Sequence, residues 1–260
     1  SEFGGQVAVV TGGAEGIGFA ISSLLAERGA EVCILDVNEA AMADARTRLS
    51  AGGAVVRAYP TDVTDEASVL AARDAILHEF GHVEILVNNA GIYPHATIAE
   101  ITEESWDRVF DVDVKGVFFL TQKLLPQLRK AAAENGRARV INIGSVEGLS
   151  TPAWENYAYP VSKAAVHHMT RILSSRLARD QITVNAIAPG PFQSKMTTFV
   201  LGTEEGRTAA GKGMPLGRIG KPEDVIGLAT FLSSPAADFI TGTTIPLDGG
   251  YLAGARPWQA

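Results

Sequence analysis

Tyr159, Lys163 and Ser145 are the residues whose types and spacing support chemistry. Residues four apart share one face of a helix, so Tyr159 and Lys163 point at the same volume. A phenol with a pKa of about 10 is a poor acid–base group at neutral pH. An ammonium ~4 Å away, at an effective dielectric of ~20, stabilises the phenolate by about 4 kcal/mol, or roughly three pKa units. The pairing therefore predicts a lowered tyrosine pKa, within reach of proton transfer. Ser145 adds a neutral donor to hold a carbonyl or hydroxyl oxygen against the phenol. Alone, a tyrosine four residues before a lysine is more often a solvated helix pair. The segments upstream decide between the two readings.

Those segments read as alternating strands and helices. Residues 7–10 form a short apolar run, too brief for a helix, as in a buried parallel strand. A loop follows that contains Gly12, Glu15, Gly16, Ile17 and Gly18, and residues 19–28 then take helical spacing. Strand, glycine-rich turn and helix form the context of a dinucleotide-binding loop, whose backbone N–H groups approach a pyrophosphate at the positive helix end. Further strands are expected at 31–36, 55–59, 84–87, 139–143, 182–187 and 244–247. Helices are expected at 39–49, 65–80, 106–128, 159–178 and 222–232. This alternation implies a parallel sheet covered on both faces, with ligands at the carboxyl ends of the strands. Gly12, Asp36, Asp62, Asn88 and Ser145 all fall there.

Asp36 closes the second strand, where a carboxylate accepts hydrogen bonds from the adenosine ribose hydroxyls and repels a 2′-phosphate. No lysine or arginine lies in residues 36–45, and Glu15 adds a second negative charge in the loop. The expected cofactor is NAD. The other reading of Asp36 is a helix N-cap, which would still disfavour NADP by its charge.

The chain of 260 residues fits one domain, 1–260, with fold signal from Gln6 onward and residues 1–5 as a possible cloning remnant. A net charge of −7 without basic runs argues against nucleic acid and anionic membrane as partners. Cys33 is the single cysteine, which excludes an internal disulfide and fits a reducing, cytoplasmic setting. No apolar stretch is long enough to span a bilayer. Residues 192–213, rich in glycine and threonine after Pro189-Gly190-Pro191, suit a mobile substrate lid.

The motifs Thr11-Gly12-x-x-x-Gly16-x-Gly18, Asn88-Asn89-Ala90-Gly91, Ser145, Tyr159-x-x-x-Lys163 and Pro189-Gly190, in this order, resemble the short-chain dehydrogenase/reductase family over nearly the whole chain. The resemblance implies an α/β, single-domain Rossmann-like doubly wound parallel sheet of about seven strands with helices on both faces. It implies Tyr159 as acid–base, Ser145 orienting the reacting oxygen, and Lys163 binding the nicotinamide ribose while tuning Tyr159. Asp62 and Val63 would contact the adenine. Asn88, Asn89, Ala90 and Gly91 would support the ribose side, and Pro189, Gly190, Phe192 and Ser194 the nicotinamide end and phosphates. Residues 139–150 and 189–197 further resemble β-ketoacyl reductases of the rhamnolipid-pathway type, which generally use NADPH, so Asp36 argues against carrying that activity over. The helices at 106–128 and 159–178 carry small and apolar residues beyond one core face, including Ala164, Ala165, His168 and Ile172. By resemblance they pair across a dyad in a D2 homotetramer.

Asp113 departs from the family pattern, which usually has asparagine there, and is counted with the catalytic residues. Its side chain either carries a charge toward Lys163, leaving the tyrosine pKa higher, or turns away and leaves only the backbone to matter. Tyr93, His95, Glu147, Leu149 and Trp154 follow strands four and five, as substrate-pocket walls or as ordinary loop packing. Adjacent His167 and His168 point about 100° apart on a helix, so they read as core or interface residues and not as a metal pair. No His, Cys or carboxylate spacing indicates zinc. The serines lack a G-x-S-x-G elbow. The functional readings are an NAD-dependent oxidoreductase acting on a secondary alcohol and its ketone, a 3-oxoacyl-(acyl carrier protein) reductase, and a non-catalytic NAD(H)-binding sensor or scaffold on the same fold.

Overall fold

Seven short apolar runs form one parallel sheet among the described residues of this computed structural model, which are 2–152 and 155–254. The strands are β1 Val7–Thr11, β2 Glu31–Asp36, β3 Val56–Pro60, β4 Ile85–Asn88, β5 Ala138–Ile143, β6 Ile182–Pro189 and β7 Thr244–Leu247, in the order β3-β2-β1-β4-β5-β6-β7. The order reverses between β1 and β4, and such a switch point opens a crevice at the carboxyl ends of the strands.

Both sheet faces are covered, which is why the central strands are apolar throughout instead of alternating. On one face Ala8, Val10 and Ile34 pack with Ile21 and Leu25 of helix α1 (Gly16–Glu27), Met42 of α2 (Glu39–Ser50) and residues of the C-terminal helix Pro222–Ser233. On the other, Val7, Val9, Cys33 and Leu35 pack with Ile76 of α3 (Glu66–Glu79) and with Leu120, Leu124 and Leu128. Phe3 is fully buried in the first of these clusters and donates its N–H to the Arg28 carbonyl at 3.0 Å. The packed fold therefore begins ahead of Gln6, because an aromatic ring at position 3 finds a place beside α1.

The expected long helix at 106–128 is instead three segments: α4 (Glu103–Phe110), a π-helical turn at Asp111–Lys115, and α5 (Gly116–Asn135). The wide turn brings Asp113 to full burial. α5 also runs on past Pro126 and ends where Gly136 adopts φ 77°, a left-handed conformation that favours glycine. α6 (Ala158–Leu177) carries Tyr159 and Lys163 in its first two turns. Much of the expected lid is helical, as α7 (Thr198–Leu201), α8 (Glu204–Lys212) and a single turn at Lys195–Thr197, and α9 is the helix Pro222–Ser233. No helix among the described residues is long and apolar enough to cross a membrane.

Candidate active site

The glycine loop is shaped by contacts that exclude side chains. Gly12 and Gly16 adopt φ 59° and 55°, and a Cβ at Gly18 would stand 2.1 Å from the Gly12 carbonyl oxygen. Asn89 holds the loop to β4: its Nδ2 donates to the carbonyls of Thr11 and Gly12 at 3.0 Å each. Thr11 Oγ1 accepts the Asn89 and Ala90 N–H groups at 2.9 and 3.0 Å. Asp36 accepts from Ala14 N at 3.3 Å and Asn38 N at 3.0 Å, which ties the tip of β2 to the loop. Asn38, not Asp36, caps α2, by accepting from Ala41 N at 3.1 Å.

A cavity of about 420 Å³ runs along this edge of the sheet. Gly12, Glu15, Gly16, Ile17, Asp36, Asp62, Val63, Asn89, Ala90 and Gly91 line one end, and Ser145, Tyr159, Lys163, Pro189, Gly190, Phe192 and Ser194 the other. Asn88 is absent from the lining. Its side chain instead donates to Thr121 Oγ1 at 3.1 Å and Asn142 Oδ1 at 2.9 Å, and Asn142 donates to Thr170 Oγ1 at 2.9 Å, a buried polar chain beneath the site. Arg108, Met196 and Thr197 also line the cavity and were not among the sequence candidates. Their signal is weak, because one lies on a helix face and two on a segment of irregular spacing.

At the end lined by Ser145 and Tyr159, Lys163 Nζ donates to the Ile143 carbonyl at 3.1 Å and lies 3.1 Å from Asp113 Oδ2. Asp113 Oδ1 accepts from Ile92 N at 3.0 Å. The carboxylate thus faces the lysine, and the reading in which it turns away fails. Lys163 Nζ stands 5.3 Å from the Tyr159 ring centroid. The Tyr159 phenol pKa is raised, not lowered as its lysine neighbour alone predicts. Burial is the largest cause and the Asp113 charge the next, while hydrogen bonding to Ser145 opposes them in part. The sequence expectation omitted desolvation, which favours the neutral phenol.

Ser145 sits at the end of β5, and its Oγ accepts from Glu147 N at 3.2 Å. Its backbone N–H reaches His167 Nε2 at 3.3 Å. His167 is 4% exposed and occupies the space that Cβ atoms at Gly144 and Gly148 would fill, 2.0 Å and 2.9 Å from its ring. It is therefore a positioning residue for the serine turn, within the core role expected of it. Exposed His168 makes no such contact.

Of the substrate-wall candidates, Tyr93, His95 and Glu147 cluster around Tyr159 and Phe199 but are absent from the lining of the cavity, as is exposed Leu149, and Trp154 lies outside the described residues. The Tyr93 ring packs edge-on against Tyr159 at 4.6 Å and stacks with Phe199 of α7 at 6.1 Å. His95 lies 6.1 Å from Phe199. Tyr93 Oη donates to Glu147 Oε1 at 3.2 Å.

The family model described as enoyl-(acyl carrier protein) reductase, of the short-chain alcohol dehydrogenase group, matches residues 12–252. The rhamnolipids biosynthesis 3-oxoacyl-[acyl-carrier-protein] reductase of Pseudomonas aeruginosa is 41% identical over 95% of this chain and 96% of its own length. This chain is a short-chain dehydrogenase/reductase. Galactitol 2-dehydrogenase of Agrobacterium fabrum is 38% identical to it, over 94% of this chain and 96% of that protein. Among solved structures, a Pseudomonas aeruginosa RhlG/NADP active-site complex matches with a TM-score of 0.91 at 40% identity, covering 96% of this chain and 99% of that one. The 3-ketoacyl-(acyl-carrier-protein) reductase from Brucella melitensis complexed with NADH matches with a TM-score of 0.86 at 32% identity, covering 96% and 99%. This short-chain dehydrogenase/reductase thus has relatives that act on acyl carrier substrates and on a polyol.

Buried His167 has its pKa lowered to about 4, by desolvation first and the Lys163 charge second. Its unfolded value of about 6.5 is higher, so the unfolded chain takes up the proton first and stability falls as pH drops from 6.5 toward 4. The expected loss from this residue is about 2 kcal/mol at pH 5. Urea unfolding of wild type and His167→Gln at pH 7 and pH 5 checks it: the variant should lose correspondingly less on acidification, and equal losses would rule the residue out.

Proposed function

We propose that the chain is an NAD-dependent oxidoreductase that moves a hydride between a secondary alcohol and its ketone. The observation that carries this reading is the convergence of Ser145, Tyr159 and Lys163 at one end of a cavity whose other end is a glycine cradle. The residues present fit a dinucleotide: Gly16 and Ile17 at the start of α1 line the cavity with Gly12, both glycines adopt the left-handed conformation of a tight loop, and Asp36 lies at the ribose end. When bound, the nicotinamide supplies or accepts the hydride. Ser145 Oγ orients the substrate oxygen, and Tyr159 Oη gives that oxygen a proton in reduction or takes it in oxidation. Lys163 holds the nicotinamide ribose and sets the positive field behind the phenol. A raised phenol pKa keeps Tyr159 protonated at neutral pH, the form that serves carbonyl reduction. The second reading, a 3-oxoacyl-(acyl carrier protein) reductase, draws on the identity to the Pseudomonas protein. A sensor or scaffold has no use for the complete set of three reacting side chains.

Oligomerisation belongs to the same proposal. Val161, Ala164, His168 and Ile172 lie exposed along one face of α6, and Phe118 and Phe119 are exposed on α5. A D2 homotetramer pairing these helices buries both faces, and light scattering that reports a monomer at micromolar concentration overturns it.

Tyr159→Phe keeps the ring and removes the proton donor, so kcat on ketones or alcohols is expected to fall by on the order of a hundredfold or more with cofactor binding retained. Near-normal turnover in that variant would refute the mechanism. NAD(H) should be preferred over NADP(H) by at least about tenfold in kcat/KM, since a phosphate beside the Asp36 carboxylate costs over ~1.4 kcal/mol. Equal efficiency with both cofactors, or a preference for NADP(H), would overturn the NAD assignment. Asp113→Asn removes a charge that raises the Tyr159 pKa. The basic limb of kcat/KM for alcohol oxidation is expected to move to lower pH with turnover preserved, and superimposed pH profiles would leave Asp113 without effect on the proton.

A further inference from the structure

We infer that Arg108 is a cofactor-binding residue, whose guanidinium takes the anionic pyrophosphate of the bound dinucleotide from the α4 side of the cavity. The inference rests on the oxidoreductase reading above and adds a binding residue to the same site.

Arg108 stands among carboxylates with which a helix would let it pair. Glu104 lies four residues before it and Asp111 three after, at the spacings that bring side chains together. It pairs with neither. Asp111 is taken by Lys115 at 2.5 Å, and the Arg108 side chain has no hydrogen bond or ion pair among the described residues. Instead it lines the cavity. Val112, one turn further on and also in the lining, borders the same small void as Val63 and Ala90. Ala90 in turn adjoins the glycine loop, since a Cβ at Gly12 would come within 3.1 Å of its Cα. The helix face that carries Arg108 is thus fixed beside the loop and helix start where a pyrophosphate binds.

The charges of the lining give this cation its task. Glu15, Asp36 and Asp62 put carboxylates on the cavity wall, and the cations there among the described residues are Lys163 and Arg108. Lys163 is committed to Asp113 and to the Ile143 carbonyl. Asp36 accepts from Ala14 N and Asn38 N, and Asp62 from the N–H and hydroxyl of Thr64, so both carboxylates are held by their own turns. A dinucleotide brings further negative charge on its pyrophosphate. The N-terminus of α1, equivalent to about half a positive charge, offsets only part of it. A guanidinium supplies a full charge, has only donors, and matches phosphate oxygens in pairs through its planar fork. The adenine and the ribose hydroxyls carry no charge to draw it.

The test is direct binding. Dissociation constants for NADH, ADP and adenosine are measured by calorimetry on wild type, Arg108→Gln and Arg108→Lys, at low and at high salt. Arg108→Gln is expected to weaken NADH and ADP by about fivefold or more and adenosine by less than about twofold, because only the first two carry a pyrophosphate. Arg108→Lys keeps the charge and loses the fork, so its loss should be smaller. High salt should weaken NADH binding more in wild type than in Arg108→Gln. Unchanged NADH and ADP constants in Arg108→Gln overturn the inference and leave the oxidoreductase reading in place. Equal losses for ADP and adenosine also overturn it, since the residue would then act on the adenosine or on the fold. A wild type that binds neither NADH nor NADPH overturns both.

Discussion

A lysine ammonium taken out of water has to be paired, and the Ser145–Tyr159–Lys163 end of the cavity is arranged around that constraint. Lys163 is 4% exposed. Its partners come from separate places in the chain: the Ile143 carbonyl at the end of β5 and the Asp113 carboxylate from the π-helical turn. Asp113 is in turn held by the Ile92 N–H just after β4. Gly91 completes the arrangement by what it lacks, since a Cβ there would lie 3.2 Å from Asp113 Oδ2 and 3.3 Å from Lys163 Nζ. Losing either side chain outright leaves the other charge buried and alone, which is far costlier than the pair is worth, whereas an amide at position 113 still offers Lys163 an acceptor oxygen. The π-helical turn, the glycine after β4 and the early turns of α6 therefore have to be correct together.

The sheet was legible in the sequence because a parallel strand buried on both faces is a continuous apolar run, and runs such as Val7–Val10 and Ile85–Val87 leave little choice. The glycine loop and the order of Ser145, Tyr159 and Lys163 were legible for a related reason: backbone approach and shared helical faces leave marks at fixed spacing. The π-helical turn was not, because Phe110-Asp111-Val112-Asp113-Val114 continues a helical pattern, and one extra residue per turn shows only in the backbone. The direction of the Tyr159 pKa was misjudged because the pairwise charge estimate contains the lysine and omits burial, the largest cause, while the upward pull of a charged Asp113 was one of its two readings. The burial of Phe3 was unreadable since a lone aromatic carries no period.

His167 shows how a residue with no motif acquires a task. Nothing in two adjacent histidines separates one from the other, yet one ring lies against Gly144 and Gly148 and the other is exposed. The glycines belong to the turn that carries Ser145, so the space they leave is filled by the ring that accepts the Ser145 N–H. Sequence spacing reports which residues share a helix face. It does not report which glycine across the interface makes room for them.

Buried side-chain atoms without a hydrogen-bond partner among the described residues include Gln127 Oε1, Arg139 Nε, Asn156 Nδ2 and Ser233 Oγ as well as a group near the site. Asp113 Oδ2, Glu147 Oε2, His167 Nδ1 and Asn88 Oδ1 are all buried side-chain atoms without a directed hydrogen bond among the described residues. Asp113 Oδ2 has its lysine at 3.1 Å, a charge contact whose geometry falls short of a hydrogen bond. Each of these atoms belongs to a residue that touches Ser145, Tyr159 or Lys163, or supports the strands that end beneath them. Native proteins keep few such atoms, because each lowers stability. Near the site they belong to side chains whose other bonds fix them: Asp113 Oδ1 accepts the Ile92 N–H, Glu147 Oε1 accepts the Tyr93 hydroxyl, and Asn88 Nδ2 donates to Thr121 and Asn142. A side chain that lacks one partner still cannot move far when a second hydrogen bond and the backbone that carries it are fixed.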